Sequence, residues 1–235
     1  MSKRGERRKK AALFASITEM ATGGGHDDAP IGDQVLAASP ELSALVAPAG
    51  AKRQLPMMKK FRFQLLHRWI VENVAPGRVA DIGGGKGLLA YLLQQSGWPA
   101  TVIDPIWQSL PPKYKDLAAD RQIKVAETEE VPRLSQPFAP ELAKDFDLLV
   151  AMHAHGCNIQ IIDAAAEEDQ EFLLLPCCII QEPIAPRPGQ HWIQCVVEYA
   201  TGRGFHLTPF RLNFKGQNIG LYGRRRPEAG KPRPG

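Results

Sequence analysis

Val79-Ala-Asp-Ile-Gly-Gly-Gly-Lys-Gly-Leu-Leu89 is the stretch that decides the fold. An apolar run delivers Asp81 into a glycine turn, and a helix-like stretch, Leu88 to Gln95, comes at once after it. The spacing predicts a strand, a tight turn and a helix N-terminus. Alternate glycines at 83, 85 and 87 suit a backbone that turns at positive φ or lies flat against a ligand, and the helix start offers free N–H groups beside them. A dinucleotide fingerprint, Gly-x-Gly-x-x-Gly, fails by one position, because Leu88 stands where its last glycine belongs. A P-loop fails too: Gly85-Lys86 is followed by Gly87, so no hydroxyl is placed for Mg²⁺. The remaining bland alternative is a glycine-rich connector without a ligand.

The residues after the turn favour a nucleoside site. Gly97 is suited to cap the helix C-terminus. Ala100-Thr-Val-Ile-Asp104-Pro105 is then a β-branched run closing on a carboxylate, 17 residues after Gly87. That is the distance of a second parallel strand after one crossover helix. A carboxylate there can accept both ribose hydroxyls of a nucleoside; the competing role for Asp104 is a turn-forming Asp before Pro. The closest reading of the whole unit is the nucleoside-binding turn of a class I S-adenosylmethionine (SAM) methyltransferase. Asp81, at the end of strand one, would order the turn or reach the amino group of SAM.

Length and composition set the frame. The 235 residues, 44% of them apolar, allow one large domain with a sizeable core. No apolar run is long enough for a membrane span, and the N-terminus lacks a signal-peptide pattern. Cys157, Cys177, Cys178 and Cys195 do not form a disulfide framework, which points to a reducing, cytosolic setting. The net charge of +4 hides an uneven distribution. Residues 1–10 hold six Lys/Arg against one Glu and residues 224–235 hold five against one, which leaves 11–223 net acidic by five. Basic ends attract phosphate backbones or merely solubilise; the acidic body argues against a broad nucleic-acid groove.

Along the chain, a basic N-terminal segment (1–51) is expected to be flexible or partly helical, around Ala11–Ala21 and Asp33–Leu45. A single domain (52–225) and a basic tail (226–235) complete the chain. Apolar spacing through Phe61, Leu65, Leu66, Trp69 and Ile70 predicts a helix before strand one. Ile123–Ala126 is a candidate third strand with Glu127 just past its end. Asp147–Met152 reads as a fourth strand, Ile159–Glu168 as a helix, Phe172–Leu175 as a fifth strand and Trp192–Thr201 as a helix. Phe205–Phe214 and Asn218–Gly223, split by Lys215-Gly216-Gln217, read as a hairpin. The fold class is therefore α/β and Rossmann-like: a mostly parallel seven-stranded sheet ending in an antiparallel hairpin.

Ligands of open α/β sheets sit beyond the strand carboxyl ends. Strand four ends in Met152-His153-Ala-His155-Gly-Cys157-Asn158, and strand five in Leu175-Pro-Cys177-Cys178. The Asp/Asn-Pro-Pro-aromatic ending common to amino-group methyltransferases is missing. A His instead offers a base near neutral pH for a hydroxyl acceptor. His153, His155 and Cys157 alternate, so an extended chain would turn them to one face, where Cys177 could join them around Zn²⁺. No Cys-x-x-Cys pair supports that site, and no metal is expected.

Asp81-Ile-Gly-Gly-Gly-Lys-Gly-Leu-Leu89 also resembles the Asp-x-Gly-x-Gly-Lys-Gly-x-Leu motif of a methyltransferase-like group that includes acceptor-stem tRNA ribose 2′-O-methyltransferases. His153-Ala-His155-Gly156 and Cys177-Cys178 stand where that group has His-Ala-Cys-Gly and Cys-Cys, and Lys59-Lys60 resembles its upstream Lys-Lys. The likeness spans roughly Lys59 to Cys178. It departs at His155, at Phe61-Arg62-Phe63, where the group often has His-Glu, and at Ile179-Ile180-Gln181. It implies SAM as cofactor, with Asp81, Gly83, Gly84, Gly85, Lys86, Gly87, Asp104, Glu127 and His153 as its contacts. His153, His155, Cys177 and Cys178 are the catalytic candidates. It also implies methyl transfer to an oxygen or nitrogen acceptor, with tRNA or another RNA as the partner. The alternatives are a small-molecule acceptor and a SAM-binding protein without catalysis. Glu182 is a further candidate to line the acceptor site.

Overall fold

The computed structural model describes residues 3–22 and 57–225. A parallel strand buried on both faces reads as a near-continuous apolar run, and three such runs form the sheet centre: β1 (Val79–Ile82), β6 (Leu148–Met152) and β7 (Glu171–Leu175). Beside them lie β2 (Ala100–Ile103) and the two-residue β5 (Arg133–Leu134). The far edge is the antiparallel pair β8 (Phe205–Arg211) and β9 (Ile219–Arg225). The sheet order is β5-β2-β1-β6-β7-β9-β8. All pairs from β5 to β7 are parallel; β9 runs antiparallel to both β7 and β8.

Alternation along the central strands feeds two cores. Ala80, Ile82, Leu149, Ala151, Phe172 and Leu174 face one side, where α4 (Asn158–Glu167) and α5 (Trp192–Gly202) cover them. Val79, Leu148, Val150, Leu173 and Leu175 face the other, against α2 (Arg62–Asn73) and α3 (Leu88–Gln95). Trp69 of α2 stacks on Phe210 at 3.9 Å between ring centroids and meets Tyr222 edge-on, so α2 clamps the β8–β9 hairpin to the sheet.

Two expectations change. First, Ile123 does not lie on the third strand of the sheet. The strand β4 (Arg121–Lys124) pairs with β3 (Lys113–Asp116) in a separate antiparallel hairpin. The sheet position falls to β5, whose neighbour Pro132 supplies a carbonyl to the Val102 N–H but has no N–H to give; such a residue suits a short edge strand. The hairpin forms because the Asp116 carboxylate accepts from the N–H groups of Ala118 and Ala119, while Asp120 takes positive φ. It docks on α3 through Tyr114 against Tyr91 and on α2 through a Gln64 side-chain bond to the Lys115 carbonyl. Glu127 consequently lies exposed beyond this hairpin and not at a sheet-strand end.

Second, the helix expected around Ala11–Ala21 of the N-terminal segment is docked on the domain. Residues Lys3–Thr22 form α1, longer than the Ala11–Ala21 expected. Ile17 is fully buried in the core shared with α4 and α5, and Leu13, Phe14 and Met20 pack beside it. Gln194 donates to the Ser16 hydroxyl at 2.9 Å. Asp33–Leu45, expected as a second helix, lies outside the described residues. Because Ile17 fills a closed site, Ile17→Ala should lower unfolding stability by about 2 kcal/mol or more. A urea melt checks this; an unchanged midpoint would mean that α1 is not docked in solution.

Candidate cofactor and acceptor site

The glycine turn forms as its spacing predicts. Gly83, Gly85 and Gly87 all take positive φ. At Gly83 a Cβ would stand 2.8 Å from the Ala154 Cβ; at Gly87 it would stand 2.9 Å from Val131 and 3.0 Å from Val102. Both positions therefore exclude any side chain on two grounds, backbone conformation and space. The turn is gripped from both sides at one residue. Asp104 Oδ2 accepts from the Gly85 N–H at 2.9 Å, and Arg133 Nη2 donates to the Gly85 carbonyl at 2.9 Å and to the Gln108 carbonyl at 3.1 Å. Asp104 Oδ1 also accepts from the Ile106 N–H at 2.8 Å. Of the two roles weighed for Asp104, these bonds show the turn-ordering one. It orders its own turn, and each carboxylate oxygen keeps lone-pair capacity for a ribose hydroxyl. Arg133 was not legible as a site residue, since it lies on a two-residue strand after a proline.

Asp81 is 1% exposed, and its Oδ2 has no hydrogen-bond partner among the described residues. Gly84 lies directly over it. Burial pushes the carboxyl up to about 7, against the pull of the Ala90 N–H at the start of α3 and of Arg133; the nearby Asp104 adds to the upward push. An orphaned buried carboxyl under a glycine cradle fits a ligand ammonium group, and SAM carries one.

An open cavity of about 600 Å³ stands over the turn, a size suited to a cofactor. Gly83, Gly84, Gly85 and Lys86 form its floor, Met152 and His153 one wall, and Tyr114 with Gln122 of the β3–β4 hairpin another. Lys60, Arg62, Lys86, Lys113 and Lys115 line it, and no carboxylate does among the described residues.

His153 comes directly after β6 and takes positive φ, 58°. This ends the extended chain, so the alternation of His153, His155 and Cys157 does not put them on one face. The His153 ring rests edge-on against Phe214, and its Nε2 is buried without a partner among the described residues. Desolvation, reinforced by Lys59, Arg62 and His155, lowers its pKa to about 4. At that value the His153 imidazole, expected from sequence to titrate near neutrality, is uncharged at neutral pH. Of the remaining candidates, His155, Cys177 and Cys178 gather in a cluster of their own, with ligand atoms within 4.8 Å of one another. Cys157 is outside that cluster, and burial raises its thiol to about 12. Glu182 serves the fold: it accepts from the Asn158 N–H, the Asn158 side chain and the Ile159 N–H, capping α4.

Strand order, glycine turn and strand-end carboxylates together make this the fold of class I SAM-dependent methyltransferases. No protein-family model matches the chain. It is 28% identical over 107 residues to a probable tRNA (uracil-O(2)-)-methyltransferase of Caenorhabditis briggsae, and 30% identical over 103 residues to one of Caenorhabditis elegans. Each match covers 44% of this chain and 17% of the relative, so the chain corresponds to a small part of those proteins. Among solved structures, the glycopeptide N-methyltransferase MtfA with S-adenosylhomocysteine is 13% identical, with a TM-score of 0.43, over 86% of this chain and 100% of that one. The magnesium protoporphyrin IX methyltransferase ChlM of Synechocystis PCC 6803 with SAM is 14% identical, TM-score 0.43, over 86% and 99%. At such distances the strand order observed in this chain carries the fold, not the superposition.

The protonation of Asp81 gives a signed prediction. A carboxyl raised to about 7 in the folded state favours folding at low pH and loses that advantage as pH rises from the ordinary carboxylate range through about 7. Relative to Asp81→Asn, the ligand-free wild type should therefore lose stability between about pH 4 and pH 7 and run level above it. Denaturant melts across that range check it; parallel profiles would contradict a buried carboxyl with a raised pKa.

Proposed function

We propose that the chain is a SAM-dependent methyltransferase acting on a hydroxyl oxygen of an RNA, with a tRNA ribose as the first candidate. One observation carries the reading: an uncharged His153 opens onto a cavity lined, among the described residues, by five cations and no carboxylate. Cations grip phosphates, and a neutral imidazole nitrogen accepts from a hydroxyl. The tRNA methyltransferase relatives support the same substrate class. All four cysteines are free thiols, which suits an intracellular setting.

Within this reading SAM, when bound, supplies a methyl group on a positively charged sulfur that departs as a neutral thioether. Asp81 holds the cofactor's ammonium, and Asp104 holds the ribose. Lys60 and Lys113 hold the phosphates that flank the acceptor. The uncharged imidazole of His153, which lines the cavity, would accept from the acceptor O–H, orient its oxygen and take up its proton. An imidazole held near 4 is a weak base, so orientation supplies more of its effect than proton abstraction.

Mutation and pH dependence both test this role. His153→Ala should lower kcat on the RNA acceptor by about 10²-fold or more, at unchanged affinity for S-adenosylhomocysteine. The wild-type pH–rate profile should show no His limb near the ordinary imidazole value of about 6.5, because His153 loses its acceptor lone pair only near 4. A limb there that is abolished by His153→Ala would contradict this environment. For the acceptor, Lys60→Ala with Lys113→Ala should weaken RNA binding for all sequences and reduce the slope of log affinity against log salt by about 2. An unchanged slope, with turnover on small hydroxylated metabolites, would move the acceptor out of the nucleic-acid class.

A further inference from the structure

The cluster of His155, Cys177 and Cys178 takes no part in the chemistry described above. Its ligand atoms lie within 4.8 Å of one another, and the two Sγ atoms are 3.7 Å apart. Tetrahedral zinc at about 2.3 Å from sulfur separates two thiolates by about 3.8 Å, so the thiols already stand at the separation of a zinc ligand pair. They are not joined in a disulfide. Both are half-buried and His155 is exposed, which leaves an ion a route in.

The loops that carry them meet without help from a metal. A Cβ on Gly156 would stand 2.8 Å from the Gln181 Cβ, so the loop after β6 packs closely on the loop after β7. Glu182 ties the second loop to the start of α4. The ligand set is thus pre-positioned by two strand ends and one helix cap. Charge also balances, since two thiolates and one neutral imidazole around a divalent ion make a net neutral group. Burial and the neighbouring Cys178 push the Cys177 thiol up to about 11, with Lys59 offsetting only a small part, so the ion must displace a firmly held proton.

We propose that an imidazole nitrogen of His155 and the Sγ atoms of Cys177 and Cys178 bind one Zn²⁺, with the fourth position taken by water. Binding exchanges two thiol protons for two S–Zn bonds and releases both protons to solvent. No electron moves, and the site is independent of the methyl-transfer reading. It lies at the carboxyl ends of β6 and β7, where the ion fastens the two loops to each other.

Titration of the reduced full-length chain with Co²⁺, followed by absorbance, tests it. One equivalent should bring up thiolate-to-cobalt charge transfer and the intense visible bands of tetrahedral Co²⁺, and Zn²⁺, which such sites hold more tightly, should bleach them. About two protons should be released per ion in weak buffer. His155→Ala, on an exposed side chain, and Cys178→Ser should each weaken binding by about 10-fold or more, while Cys195→Ser leaves it unchanged. Thermal melts and S-adenosylhomocysteine binding on the same samples report that each variant is folded. Absence of the charge-transfer band in the folded, reduced chain overturns the proposal, and so does a band that survives Cys177→Ser with Cys178→Ser.

Discussion

Everything at the cofactor end of this molecule hangs on the peptide units around Gly85. Its N–H is held by Asp104 at the end of β2, and its carbonyl by Arg133 on β5. The turn bridges β1 and α3, so these two bonds fix the glycine loop against strands on the same side of the sheet. Both are charge-assisted, and such bonds are roughly twice as strong as neutral ones. Gly84 is thereby pressed over Asp81, which is why that carboxyl is dry and its Oδ2 lacks a partner among the described residues. A ligand ammonium would supply the missing partner.

The second constraint is electrostatic. Residues 11–223 are acidic in sum, yet among the described residues the charged groups of the cavity lining are all basic. Lys60 enters from the turn before α2 and Arg62 from the first residue of α2, Lys86 from the glycine loop, and Lys113 and Lys115 from the β3–β4 hairpin. Three separate segments contribute one sign of charge to one space. Arg62, one of these cations, also helps to keep His153 neutral, together with Lys59 next to Lys60. Burial does most to keep His153 uncharged, and cations beside the cavity add to it.

Much of this was legible in the chain. The turn from Asp81 to Gly87 announced itself, because glycine best tolerates those φ values, and the buried parallel strands announced themselves as apolar runs. The third strand did not. Two residues after a proline leave almost no pattern, whereas Ile123 lies in a run that looks like a strand and is one, but in a hairpin held by the Asp116 turn. Misplacing it carried Glu127 with it. Arg133 was hidden for the same reason. Docking of α1 was hidden because its basic first ten residues dominate its composition, while Leu13, Phe14 and Ile17 do the packing. The His153 environment was beyond reach, since its desolvation comes from contacts such as Phe214 and its nearby cations lie on other segments.

Calorimetric titration of the wild type and of Asp104→Ala with S-adenosylhomocysteine decides whether the clamped turn is a cofactor site. One equivalent should bind to the wild type, and binding should be lost in a variant that still melts cooperatively. A folded wild type that binds no S-adenosylhomocysteine would be the contrary result, since the clamped turn and the unpartnered Asp81 carboxyl would then have no cofactor to serve.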